Sequence, residues 1–163
     1  TCLTRSGEKV VYPASEVKFE YRGTNIPDPL ILAATFTLTP TDPLALRERV
    51  KEIFAFKKST QPLGDNSAGC TFKNPIDPVS GQRVAAGKLI DEAGLKGLAV
   101  GGATVSERHA NFIVTRPGAS ADDVLNLLGQ VKKRVFERHG IELHEEIAVW
   151  RRGDAMGGHA IPA

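Results

Sequence analysis

The chain has 163 residues, 41% of them hydrophobic and 25% charged, with a formal net charge of +2. That length buries a real core in one domain, or one domain plus part of another, and the composition is that of a globular protein rather than a disordered or fibrous one. The basic residues are dispersed, which argues against the concentrated stripe that a phosphate backbone requires, so no nucleic-acid partner is expected.

In chain order, residue 1 is Thr and "LTRSGEKVVYP" reads as a strand pair already under way, as expected of a piece of a longer chain. "PLILAATFTLTP" alternates Leu30, Leu32, Ala34, Phe36 and Leu38 on one face, so residues 1 to 40 are expected to be β structure. Its apolar core is far short of the roughly 20 residues that cross a bilayer, and no basic-then-apolar leader opens the chain, so no membrane partner and a cytoplasmic location are expected. "TPTDPLALRERVKEIFAFKKST" predicts a helix capped by Thr41 or Asp42, with Pro43 near its first position and Leu46, Val50, Ile53 and Phe54 on one stripe. From Gln61 to Gln82 the periodicity gives way to Pro, Gly, Asn, Asp and Ser, predicting a long functional loop with a short strand near Thr71.

"AAGKLIDEAG" predicts a short helix stopped by Gly94. "LAVGGATVS" and "ANFIVT" predict strands, with Gly101 and Gly102 marking a bulge or a close backbone approach. "SADDVLNLLGQVKKRVFERHG" predicts a helix capped by Ser120, carrying Val124, Leu128, Val131 and Val135 on its apolar face and ending at Gly140. "IELHEEIAVW" predicts a last strand with Ile141, Leu143, Ile147 and Val149 on one face and Glu142, His144, Glu146 and Trp150 on the other. Residues 153 to 163 are expected to be a flexible tail. The order fits an α+β fold, a mixed or antiparallel sheet with helices packed on one side.

Chemistry concentrates in a few places. Cys2 and Cys70 form no CxxC, which argues against zinc or a disulfide framework, so no metal is expected. Cys70, in "SAGCTFKNP", is open to three readings: a small buried hydrophobe, a nucleophile, or an acid, the last two favoured by Lys73 and Asn74 within four residues. A nucleophile needs a histidine against it, and His109 and His144 remain candidates. Among the glutamates, alternation points Glu146 away from the aliphatic face, whereas Glu145 would project among Leu143 and Ile147 unless the strand bulges. Tyr21 and Arg22, in "FEYRGT", precede a Gly-Thr turn, and an arginine after an aromatic can clamp a carboxylate bidentately. "GGATVSERHANF" is glycine-rich but has neither GxxxxGK nor GxGxxG, so it is no phosphate loop.

Four segments, "FEYRGT", "TQPLGDNSAGCTFKNP", "AAGKLIDEAGLKGLAVGGATVSERHANFIV" and "GIELHEEIAVW", resemble in order and spacing the UDP-N-acetylenolpyruvoylglucosamine reductases, from about Gly7 to Trp150, and the shorter variety of that family in particular. The resemblance implies an enzyme in which two domains hold FAD and a third closes over the sugar nucleotide. Residues 1–40 would be the end of the FAD-binding domain, 41–152 the substrate-binding domain and 153–163 a tail. The implied reaction uses NADPH to reduce FAD and converts UDP-N-acetylglucosamine enolpyruvate to UDP-N-acetylmuramate, for peptidoglycan. The flavin-binding segment is missing from the sequence, so the N-terminal FAD-binding half is an expected partner and the fragment alone is not expected to turn over.

By the same matching, Cys70 stands where the family's "GSxFKNP" motif has a proton-donating serine. Glu146 falls on the family's catalytic carboxyl and Arg22 on the arginine that pairs with the enolpyruvyl carboxylate. Tyr21, Lys58, Lys73, Asn74 and His109 fall at or beside substrate-contacting positions. Two other classes compete: a stand-alone UDP-sugar-binding module without redox activity, complemented by a separate flavin domain, and a cysteine acyl transferase.

Overall fold

A computed structural model describes residues 1–149. The predicted tail and Trp150 lie outside the described residues. The chain divides into two compact units, Thr1–Leu46 and the part from Arg47 onward.

In the first unit β1 (Cys2–Leu3) lies between β2 (Lys9–Val10) and β5 (Leu30–Ile31), antiparallel to both, and β3 (Phe19–Glu20) pairs with β4 (Gly23–Thr24) as a separate hairpin. Cys2 sits buried on the central strand. The Tyr12 hydroxyl donates to the Asp28 carboxylate at 2.6 Å, and that acceptor holds Tyr12 up at about 12. The strand expected over residues 30 to 38 stops at Ile31. Its alternation is real, but Leu32, Phe36 and Leu38 are 44%, 79% and 82% exposed, and without a neighbouring strand there is no ladder to hold them extended.

Helix α1 (Pro43–Thr60) forms where predicted, with Pro43 in its first position and the Asp42 carboxylate accepting from the N–H groups of Leu44 and Ala45. None of its residues is buried.

The second unit holds the core. Its antiparallel sheet runs β6 (Asn66–Cys70), β9 (Phe112–Thr115), β8 (Ala103–Val105), β7 (Ala99–Val100) in spatial order. Helix α2 (Ala86–Glu92) and helix α3 (Ala121–His139) supply Ala86, Leu89, Ile90, Leu127, Leu128, Val131 and Val135 to one cluster with Ala103, Val105, Ile113 and Leu143. Ala103 pairs with Thr115 and Val105 with Ile113, so these side chains share the helix-covered face, while Thr104, Val114 and Phe112 take the other.

Gly101 and Gly102 form the turn between β7 and β8 and are a close approach rather than a bulge. A Cβ on Gly101 would collide with the Asp123 carboxylate, and one on Gly102 would meet the Ala119 backbone at 2.6 Å. Asp123 accepts from the Gly102 N–H and closes a capping box with Ser120, so one carboxylate ties the start of α3 to this turn.

Two predicted strands differ from expectation. The short strand placed near Thr71 is β6, which begins earlier, at Asn66. Residues 141–149 form no regular strand. Ile141 and Leu143 are buried and Glu142 and His144 exposed, as the alternation requires, but pairing is limited to a bridge between Phe72 and Glu145, after which the chain bends at Glu146 and Ile147.

Candidate functional site

The position of Cys70 depends on one extra residue. Along β6 and β9, Asn66 pairs with Thr115 and Ser67 with Val114, but the next pair is Cys70 with Phe112. Three steps on one strand thus match two on the other, which is a β-bulge at Ala68 and Gly69, and Gly69 adopts φ +86 there. Strict alternation from Ser67 would send Cys70 to the helix-covered face. The bulge instead gives it the face of its partner Phe112, away from α3, where it is half-buried.

The residues after Cys70 are held on both sides. Asn111, 3% exposed, accepts from the Phe72 N–H with its side-chain oxygen and donates its amide to the Phe72 carbonyl, both at 2.9 Å, while its own carbonyl accepts from the Thr71 N–H. On the other side the Lys73 N–H donates to the His144 carbonyl and the Glu146 N–H to the Thr71 carbonyl, each at 2.8 Å. The segments carrying Cys70, Lys73 and Glu146 are therefore joined backbone to backbone across 75 sequence positions between Thr71 and Glu146. Glu145 reaches α3: the Lys132 ammonium there donates to both its carboxylate oxygens, at 3.0 and 3.3 Å. Burial pushes the Glu145 carboxyl up, but the hydrogen bonds from Lys132 and the backbone, with the charges of Lys132 and His144, leave it below the ordinary carboxylate range.

Asn74 turns toward α2, accepting from the Ala86 N–H at 3.0 Å and so closing the N-terminus of that helix. His109 sits in the turn before β9. Its Nδ1 accepts from the Asn111 N–H, its ring meets Phe112 edge-on at 4.8 Å, and its Cε1 lies where a Cβ on Gly87 would come within 3.2 Å. Burial, together with the nearby Lys96 charge, lowers its pKa and favours the neutral ring. Lys58 lies in the last turn of α1, and its carbonyl accepts from the Arg108 guanidinium at 3.2 Å, so that helix end is fixed to the turn that carries His109.

In the first unit Tyr21 and Arg22 are themselves the turn between β3 and β4, not residues ahead of it. Arg22 holds a left-handed φ of 59 with its guanidinium 5.2 Å from the Tyr21 ring centre. A non-glycine residue in that region costs roughly 1–2 kcal/mol, strain that collects at ligand-binding positions.

Sequence reading missed Asn111, Arg108, Lys132 and the bulge. The Gly-Cys pair was the available signal for the bulge; Asn111 and Lys132 act on partners 39 and 13 positions away and leave no local pattern. A depression of about 410 Å³ on the open face, lined by Gly64–Asn66, Gly102, Thr104, Val114 and Arg116 among others, lies toward the far end of β6 and does not include Cys70.

Each of the three α-helices has a side-chain acceptor on an N–H of its first turn: Asp42 on α1, Asn74 on α2 and Ser120 on α3. Among the described residues no His, Cys, Asp or Glu cluster suits a metal, and no helix is long and apolar enough to cross a membrane.

The sheet with helices on one face, the bulged edge strand β6 and the segment after α3 all fall within the residues that match a reductase C-terminal domain. The family model described as UDP-N-acetylenolpyruvoylglucosamine reductase, C-terminal domain, matches residues 61–150, and the chain belongs to that family. It is 43% identical over 152 residues to the reductase of that name from Cereibacter sphaeroides, covering 89% of this chain and 49% of the relative. Against the Ruegeria pomeroyi reductase it is 39% identical over 163 residues, covering 96% and 52%. The crystal structure of the UDP-N-acetylenolpyruvylglucosamine reductase from Thermus caldophilus superposes with a TM-score of 0.63 at 37% identity, over 87% of this chain and 49% of that one. The chain thus spans about half the length of these relatives.

Proposed function

We propose that the chain is the C-terminal portion of an FAD-dependent, cytoplasmic reductase that converts UDP-N-acetylglucosamine enolpyruvate to UDP-N-acetylmuramate with NADPH, in peptidoglycan synthesis. On this reading residues 1–40 close the flavin-binding domain, 41–152 bind the sugar nucleotide, and the fragment is inactive without the N-terminal half. The uncovered apolar side chains of α1, Val50, Ile53, Phe54 and Phe56, support a further polypeptide packing there.

FAD, held mainly by the N-terminal half and reduced by NADPH, would supply the hydride for C3 of the enolpyruvyl group. The chain's own residues do the rest. Arg22 pairs with the carboxylate and stabilises the enolate that develops toward it. Cys70 gives its proton to C2 and regains one from solvent; a thiol, with an ordinary pKa near 8.5, is a far better acid than the serine hydroxyl it replaces. Glu146 serves as the catalytic carboxyl, and Tyr21, Lys58, Lys73, Asn74 and His109 orient the substrate.

The observation that carries this reading is the 2.8 Å bond from the Glu146 N–H to the carbonyl next after Cys70, which brings the two reactive segments side by side. The test is turnover by the complete enzyme. Cys70→Ser should retain activity, Cys70→Ala should lose roughly 100-fold, the scale of a missing general acid, and Arg22→Lys should lose most activity by breaking the bidentate geometry. Normal turnover in the alanine variant ends the proton-donor assignment.

A further inference from the structure

Two glutamates stand side by side at 145 and 146, joined to residues 71–73 by a pairing of few bonds. Short pairings specify register weakly, and a one-residue slip exchanges the two faces. The inward series here is Ile141, Leu143, Glu145, Ile147, so a carboxylate occupies a core-side position where burial penalises it. Left alone, such a group favours a rearrangement that returns it to water and carries its neighbour with it.

Lys132 removes that incentive. It follows Val131 on α3, at the border of the buried stripe, and grips both Glu145 oxygens with each partner only about a third exposed. We infer that Lys132 is a positioning residue that locks Glu145 to α3 and thereby selects Glu146, not its neighbour, for presentation beside the Cys70 segment. The lowered carboxyl pKa of Glu145 agrees with a carboxylate stabilised in place. The inference rests on the reading of Glu146 as the catalytic carboxyl, but its structural half can be tested apart from it.

Amide hydrogen exchange of the 163-residue chain tests that half. Lys132→Met should speed exchange at Glu146 and Lys73 by ~10-fold, with Val131 and Val135 on α3 still protected. Lys132→Arg should keep the native rates. If Lys132→Met loses protection throughout, the doubly changed Lys132→Met, Glu145→Ala chain decides, because it has no charge left to strand.

In the complete enzyme, Lys132→Met should lower kcat with KM little changed, and adding Glu145→Ala should recover most of it. A merely structural tie, already broken in the single variant, would leave the double variant as slow. Unchanged exchange at Glu146 and Lys73 in Lys132→Met, or no recovery in the double variant, overturns the inference. Normal turnover in Glu146→Gln, with exchange altered in Lys132→Met as expected, would instead overturn the catalytic role of Glu146 and leave the lock standing.

Discussion

Helices α1 and α3 are nearly the same length, 18 and 19 residues, both capped at the N-terminus by an acceptor side chain and both basic in the last turn. Yet α3 buries Leu127, Leu128, Val131 and Val135, while α1 buries nothing. The contrast teaches that caps and propensity set where a helix begins and ends, while burial depends on what lies opposite its stripe. For α3 that is the sheet of its own unit; for α1 no described residue buries the stripe, and the proposed function puts a further polypeptide there.

The sharpest way to break the comparison is core truncation. Leu127→Ala, at a fully buried site, should cost roughly 2–5 kcal/mol in urea unfolding, and Phe54→Ala, 60% exposed on α1, within about 0.5 kcal/mol. In the complete protein the cost of Phe54→Ala should rise to on the order of 3 kcal/mol; no rise would show that nothing covers α1. Next come the caps. Ser120→Ala should lower the stability of the second unit by about 1 kcal/mol, whereas Asp42→Ala should leave its unfolding midpoint where it is.

The smallest effect is a pH dependence confined to the packed side. His109 has a folded pKa below its unfolded value of about 6.5. As pH falls through 6.5 the unfolded chain takes up a proton that the folded chain refuses, so stability declines until the lowered folded value is passed. Between pH 7 and 5.5 the urea midpoint should fall in the native chain and fall less in His109→Gln; parallel profiles would show that burial does not hold the ring neutral.

The legible parts of the fold were those encoded within a few residues. Ser120, Asp123 and Gly140 announce α3, and Pro43 with Asp42 announces α1, because capping is chemistry between near neighbours. The alternation from Leu30 to Leu38 was equally clear but misleading about extent, since a strand exists only where a partner runs beside it. At the candidate site the residue types around Cys70 and Glu146 drew attention to both, but their juxtaposition depends on Asn111 and on backbone bonds between distant segments, which no periodicity reports. Glu145 was anticipated as a misfit among Leu143 and Ile147, and the resolution came from α3.

The bulge at Ala68 and Gly69 makes chain length itself a variable under selection. Dropping either residue would leave every neighbouring chemical group intact and still rotate the sulfur into the hydrophobic layer, so descendants of this gene could trade side chains in β6 more safely than they could gain or lose a codon there. The turn around Val79, 94% exposed at the tip of the single Ile76–Arg83 bridge, can absorb such a change at small entropic expense. Insertions and deletions should accumulate at that turn and be purged from the five positions ending at the thiol.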